Sequence, residues 1–280
     1  MNRPNSPAPQ GYYAASSATP APRGRLSGDL RADVCVIGGG FTGLSAALHL
    51  ARAGAKVIVL EAQTIGFAAS GRNGGQIHSG HRKEQAELET WLGKVHARDL
   101  WDLAEESKAL VRSLAAELAP DANVKPNLII AAHDRAALRG LEAEVEHLAR
   151  FYDYDARMID AGETRRMVGA DYIGAKLDPT GGHLHPLRYA RGLARGAEAT
   201  GAVLLEHSPA RSIETTASSA IVHCDAGNVT ADHVLLAADA FCGEIAPELA
   251  PYIGHVESFV SATAPMPPNI AAQIIPSDAA

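Results

Sequence analysis

The residues whose spacing most clearly suggests chemistry are Gly38-Gly39-Gly40-Phe41-Thr42-Gly43, with GxGxxG at Gly38, Gly40 and Gly43. That pattern alone is weak and its context gives it meaning. An apolar, partly β-branched run, Ala32 to Ile37, precedes it. A segment carrying Leu44, Ala47, Leu48 and Leu50 at helical spacing follows, from Phe41 to Ala53. The glycines therefore fall between a predicted buried strand and a predicted helix. Gly38 would permit a tight turn, Gly40 would let the backbone approach a pyrophosphate, and Gly43 would let the helix pack closely on the strand. The unpaired N–H groups of the first turn, Phe41 and Thr42 among them, face where phosphate oxygens would lie. A second apolar run, Lys56 to Leu60, ends at Glu61-Ala62. A carboxylate there can accept hydrogen bonds from ribose hydroxyls and disfavours a 2′-phosphate, so the pattern predicts a dinucleotide other than NADP.

The next stretch does not continue into ordinary strand and helix alternation. It is Gly-rich and contains Ser70, Gly71, Arg72, Asn73, Gly74 and Gly75. Such a stretch lets backbone pass close to a second, extended part of a ligand, and Ser70, Arg72 and Asn73 can donate to phosphate or ring atoms. Other candidate groups carry less. His183 and His185 would share one side of an extended segment, but no sequence cluster supplies further metal ligands. Cys35 falls in the first strand and reads as a small packing residue. His223 and Cys224 are adjacent on a predicted strand and so point oppositely. Trp91 and Trp101 read as packing residues. No residue is nominated as a catalytic base, and no metal is expected.

Several elements must position these residues. Residues 1–30 mix Pro, Ser, Ala and Gly and read as an N-terminal arm, in which Tyr12 and Tyr13 are the large rings. Beyond the glycine stretch, the pattern predicts a long helix over Glu84 to Leu118 with a break near Asp99–Asp102. A strand follows at Leu128–Ala132, a helix at Asp134–Phe151, a short strand at Met158–Ile159, a helix at Ala161–Val168 and a turn at Asp178–Gly182. The last third reads as a helix over Pro186–Ala199, a strand at Val203–Glu206, a hairpin of Ser212–Glu214 with Ala220–His223, a return at Val229–Thr230, and a separate strand at Asp232–Ala237. One more strand is expected within 255–264.

Composition bounds the rest. The chain has 280 residues, a 46% apolar fraction and a formal net charge of −7. That supports one or two folded units and disfavours a broad nucleic-acid surface. Three widely spaced cysteines form no disulfide framework and fit a reducing compartment. No uninterrupted apolar run is long enough for a membrane span, and the N-terminus lacks the pattern of a signal peptide. The expected location is the cytoplasm.

The run DVCVIGGGFTGLSAALHLARAGAKVIVLEA followed by IGFAASGRNGGQ resembles the FAD-dependent amine and amino-acid oxidases of the D-amino-acid oxidase, glycine oxidase and sarcosine oxidase group. YYAAS at 12–16, GGHLHPLRYARG at 181–192 and ELAPYIG at 248–254 are similar to the branch that oxidises gamma-glutamylated amines such as gamma-glutamylputrescine. The resemblance implies an α/β fold, with a Rossmann-like FAD-binding domain interleaved with an incomplete α+β substrate domain. It places FAD on Gly38, Gly40, Phe41, Thr42, Gly43, Glu61 and Ala62. Ser70, Gly71, Arg72, Asn73, Gly74 and Gly75 would lie along the pyrophosphate and flavin side. Ala210 matches the position, often Val, whose backbone meets the adenine. Ala237 and Ala238 match the strand end beside the cofactor, with Ala238 standing where the family usually has Gly.

The implied chemistry is hydride removal beside an amine nitrogen, giving an imine that water hydrolyses, with dioxygen or another acceptor reoxidising the flavin. The implied division is an arm over 1–30, the FAD domain over 31–120 and 183–244, and substrate-domain parts over 121–182 and 245–280. Family members run well past this length, so the chain reads as the N-terminal two-thirds of an oxidase. A second polypeptide or a homo-oligomer is left open as partner. Two rival readings stand beside it: an NAD-dependent dehydrogenase, and a catalytically incomplete fragment that binds FAD or its ADP half.

Overall fold

In the computed structural model, which describes residues 11–256, 258 and 261–280, the elements follow in chain order. The first third holds α1 (Tyr12–Ala15), β1 (Leu30–Ile37), α2 (Phe41–Arg52), β2 (Val57–Leu60), β3 (Gln76–Ile77) and α3 (Gln85–Leu118). Next come β4 (Lys125–Ala132), α4 (Arg135–Tyr152), β5 (Arg157–Asp160), α5 (Ala161–Val168), β6 (Gly174–His183) and α6 (Pro186–Ala199). The chain continues through β7 (Val203–Leu205), β8 (Ala210–Thr215), β9 (Ala220–Cys224), β10 (Gly227–Leu236), α7 (Cys242–Ile245) and α8 (Pro268–Ile274). They divide into two units: the described parts of Met1–Asn73 and Pro186–Ser261, and Gly74–His185 with Ala262–Ala280. The architecture is α/β with a Rossmann-like first unit. The units part at Asn73 and Gly74, so α3 belongs to the second unit rather than to a first stretch over 31–120.

The first unit is built on a six-stranded sheet in the order β7-β2-β1-β10-β9-β8. Strands β1, β2 and β7 are parallel, and β1 also pairs parallel with β10, Ile37 lying opposite Leu236. Apolar runs such as VIVL of β2, buried at all four positions, suit a parallel sheet covered on both faces. Cys35, Ile37, Ile58, Leu60, Val222 and Val229 form much of one core cluster. Sequence reasoning expected two strands where β10 is one. Asp232 and His233 look like an interruption, yet the backbone keeps pairing through them, and Asp232 turns outward to meet Arg31 at 2.7 Å. The described part of the N-terminal arm is not a free linker. Leu26 is buried and its N–H donates to Ser208 Oγ at 2.8 Å, while Gly24 O accepts from the Glu206 N–H at 3.0 Å.

The second unit centres on β6, which pairs antiparallel with β3, β4 and β5. The sequence predicts a turn at Asp178–Gly182, and the structure has a strand there. The turn signal has a local cause: Asp178 Oδ1 accepts the N–H groups of Thr180 and Gly181, each at 2.9 Å, beside a register shift at Pro126/Leu128. The long helix does break, but at Gly93 (φ 78°) rather than near Asp99–Asp102. Only glycine adopts that conformation without strain. Trp101 packs between Tyr152 and Tyr154, both ring centroids at 5.1 Å, whereas Trp91 is exposed under Lys83 rather than packed inside. The strand expected over 255–264 is absent among the described residues; 257, 259 and 260 lie outside them.

Candidate dinucleotide site

The cavity of the first unit opens where β1, β2 and β10 end. It has a volume of about 610 Å³, within the usual range for a small-molecule site. The turn from β1 into α2 forms its floor. Gly38 has φ 118°, and a Cβ there would stand 2.4 Å from Ala237 O. A Cβ on Gly43 would stand 2.0 Å from Gly38 O. Neither position admits a side chain, so the turn stays tight and α2 lies close on the strand. The N-cap of α2, Gly40, provides no side-chain cap, but the Phe41 N–H, expected to be unpaired, is already taken by a side chain from the following loop. Ser70 Oγ accepts the Phe41 N–H at 3.0 Å. Its own proton is then free to be donated to an oxygen beside the helix start.

Glu61 closes the far side. Its Oε2 accepts from Gly39 N–H at 2.7 Å and its Oε1 from Gln63 N–H at 2.8 Å. Each oxygen keeps a further lone pair for a hydroxyl donor. Burial pushes the Glu61 carboxyl upward, the two backbone bonds pull it back, the neighbouring Glu206 adds to the rise, and His207 opposes it. The site therefore sets a carboxylate against its own desolvation. A polyhydroxylated ligand group would satisfy it with neutral donors.

The sequence-derived residues divide by place. Gly38, Gly40, Phe41, Thr42, Glu61, Ala62, Ser70, Ala210, Ala237 and Ala238 line the cavity. Gly43 lies beneath it as the packing contact. Gly71 is buried against Gly66 O. Arg72 donates from Nε to Phe67 O at 2.7 Å, and Asn73 Nδ2 donates to Ala69 O at 3.0 Å, so both brace the loop. Gly74 and Gly75 belong to the second unit, where Gly75 O accepts the Leu184 N–H at 2.9 Å. Ala238 has φ −92°, a conformation open to any residue, so alanine sits there without backbone strain. Sequence reasoning missed Gln63, Arg211, Asp239, Phe241, Cys242 and Glu244, which also line the cavity. The signal that leads to most of them is strand pairing: Ala237 N–H donates to Ile37 O at 2.8 Å and delivers the segment after β10 to the glycine turn.

A model of FAD dependent oxidoreductases matches residues 33–279. The chain belongs to that family. FAD is accordingly the cofactor that goes with this cradle, which decides between the flavin and nicotinamide readings. The chain is 38% identical to gamma-glutamylputrescine oxidoreductase of Escherichia coli (strain K12) over 95% of its own length and 63% of that protein's. It is 36% identical to the probable oxidoreductase OrdL of Rhizobium meliloti (strain 1021), covering 85% of this chain and 56% of that one. Among solved structures, glycine oxidase from Geobacillus kaustophilus shares the fold with a TM-score of 0.69 at 24% identity, over 79% of this chain and 58% of that chain. The chain thus spans between half and two-thirds of the length of these relatives.

The residues present fit the adenosine and pyrophosphate end of FAD. Two glycines leave no room for a Cβ, the start of α2 faces the cavity with Ser70 on its first N–H, and the Glu61 carboxylate stands across from it. Among the described residues no helix is long and apolar enough to cross a membrane. His183, weighed as a metal ligand, has its Nε2 at 3.0 Å from the carbonyl of Asp278.

Proposed function

We infer that the protein is an amine oxidoreductase acting on a C–N bond, with gamma-glutamylputrescine or a related gamma-glutamylated diamine as substrate. The observation that carries this reading is the cavity at the β1–α2 turn, with Glu61 across from it, in a chain 38% identical to a gamma-glutamylputrescine oxidoreductase. Bound FAD supplies the two-electron acceptor for the C–H bond beside the amine nitrogen. The backbone of Gly38–Gly40 and the first turn of α2 hold the pyrophosphate, Ser70 donates to it, and Glu61 accepts from the ribose. Ala210 and Ala62 flank the adenosine, while Ala237 and Ala238 bound the cofactor on the β10 side. Gly71, Arg72 and Asn73 shape the loop leading toward the flavin side, and Gly74 and Gly75 continue it. Dioxygen or another acceptor takes the electrons onward, and the cytoplasm is the proposed location.

The test is an absorbance spectrum of the 280-residue chain after FAD is added and excess removed. Retained flavin absorbance, bleached without oxygen by gamma-glutamylputrescine faster than by putrescine or glycine, is the expected result. Retained flavin that no amine bleaches would make the chain an FAD-binding unit without turnover. No retention would remove it as a self-sufficient oxidase.

A further inference from the structure

The N-terminal segment ahead of β1 brings one cation into the anionic side of the dinucleotide site. Arg23 is nearly buried, with 10% of its side chain exposed, and it bridges two carboxylates. Its Nε and Nη2 meet Glu198 at 2.6 and 2.9 Å, and its Nη1 meets Glu206 Oε1 at 3.4 Å. Glu206 is 5% exposed, and the same Oε1 accepts the Ile65 N–H at 2.8 Å. Around it the chain is cross-tied. Glu206 N–H donates to Gly24 O, His207 N–H to Gln63 O and Ser208 N–H to Glu61 O. Thus Glu206 touches the 61–65 loop on one side and the arm on the other.

Two buried carboxylates near one another cannot both stay charged without compensation. Among the described residues, Glu61 accepts from the backbone N–H groups of Gly39 and Gln63, while Glu206 accepts from the Ile65 N–H and Arg23. The charged groups around this pair are Arg23 from the arm, Arg191 and Glu198 on α6, and His207. Of these, Arg23 is the cation in direct contact with Glu206.

We propose that Arg23 is a positioning residue for the adenosine end of the cofactor: by neutralising Glu206 it fixes the 61–65 loop and keeps Glu61 ionised to accept the ribose hydroxyls. The arm thereby becomes part of the cofactor site without touching the ligand. This rests on the reading of the cavity as the adenosine half-site.

The test is titration of the chain with FAD, and separately with ADP, at about pH 6 and about pH 8. The proteins are the wild type, Arg23→Met, Glu206→Gln and the double variant. Losing the cation should weaken FAD binding about tenfold at the lower pH and about threefold at the higher, as expected when a carboxylate becomes harder to ionise. Adding Glu206→Gln should restore binding to within about threefold of wild type at both, because the amide oxygen still accepts from Ile65 and no second charge remains. The pH dependence and the rescue separate positioning from mere loss of packing. If Arg23→Met binds as wild type does at both values, or the double variant is as weak as Arg23→Met, the proposal is overturned while the site stands. If wild type takes up neither FAD nor ADP, the site reading falls and the proposal falls with it.

Discussion

The two units solve opposite problems with opposite means. The first keeps side chains out of its turn: at Gly38 and Gly43 a single methyl would collide with backbone, and a cavity opens over that turn. The second places a cluster of polar side chains inside an otherwise apolar interior. Lys108, 8% exposed, donates to Ser79 Oγ at 2.6 Å and Thr180 Oγ1 at 2.8 Å and meets Glu105 at 2.7 Å. Tyr154 donates to Asp178 Oδ2 at 2.6 Å, and Arg112 donates to the carbonyls of Thr180 and Gly181, each at 2.7 Å. The first arrangement leaves donors for a ligand, and the second uses them internally. A network of side chains bonded to one another rigidifies a fold, whereas a cradle at a helix start keeps bonding capacity for a partner.

The largest effect that would break this contrast is at the glycine turn. Gly38→Ala combines a positive φ with a 2.4 Å approach to Ala237 O, and it should cost about 4 kcal/mol in urea unfolding and abolish FAD retention. A variant of wild-type stability that still retains FAD would show that the turn is not a built cradle. Next comes the network. Lys108→Met strips the cation from a buried cluster and should cost about 3 kcal/mol, while ADP binding by the first unit changes by less than about twofold. Calorimetry of binding beside chemical unfolding would show whether the two effects separate.

The third comparison is one of sign. Burial raises the Glu61 carboxyl. Between the unfolded value of about 4.3 and the higher folded one, the native state binds more protons, so this residue's contribution falls as pH rises. Asp178 is the reverse. Burial would raise it too, but the bonds from Tyr154, Thr180 and Gly181, with Lys108 nearby, hold it below its ordinary value. Its contribution is present above about pH 3.9 and is lost as pH falls through the folded value. Stability measured against pH should therefore lose its alkaline-going decline in Glu61→Gln and its acid loss in Asp178→Asn. Matching profiles in the two variants would dissolve the contrast.

The smallest effect concerns thiols. Burial pushes Cys35 up to about 12 and Cys224 up to about 11, the latter also raised by Asp225, so both should alkylate slowly near neutrality. Cys242 lines the cavity. Peptide mapping should find it modified first and protected when FAD is present; equal labelling with and without FAD would place the ligand elsewhere.

The contrast also explains what could be read in the sequence. The first cradle is a local pattern: strand, glycines, helix, strand and acid lie within residues 32–61, so spacing carries it. Helices with strong end signals were equally legible, as with Asp134, which caps α4 by accepting from Ala136 and Ala137. The polar network was not. Ser79, Lys108, Tyr154 and Asp178 come from four separated stretches, and no periodicity links them. The same cluster concealed β6, because Asp178 and the glycines after it carry the chemistry of a turn inside a strand. Arg23 and Glu206 were hidden for a related reason: 183 residues separate them, and the arm's composition resembles a linker.

The pairing of β1 with β10 sets a timetable for synthesis. Strand β1 leaves the ribosome early, but the partner on one of its two sides begins only at Gly227, with the whole of Gly74–His185 in between. At about 5–20 residues per second, that interval is on the order of 10–40 s. Throughout it, β1 offers an open parallel edge rich in Val and Ile, the kind of surface that recruits stray strands. The intervening unit has all but its last short segment in hand and can fold first. The cofactor cavity cannot close until Ile245, the last residue of its lining, has been translated, so FAD cannot serve as a template for the strands that precede it.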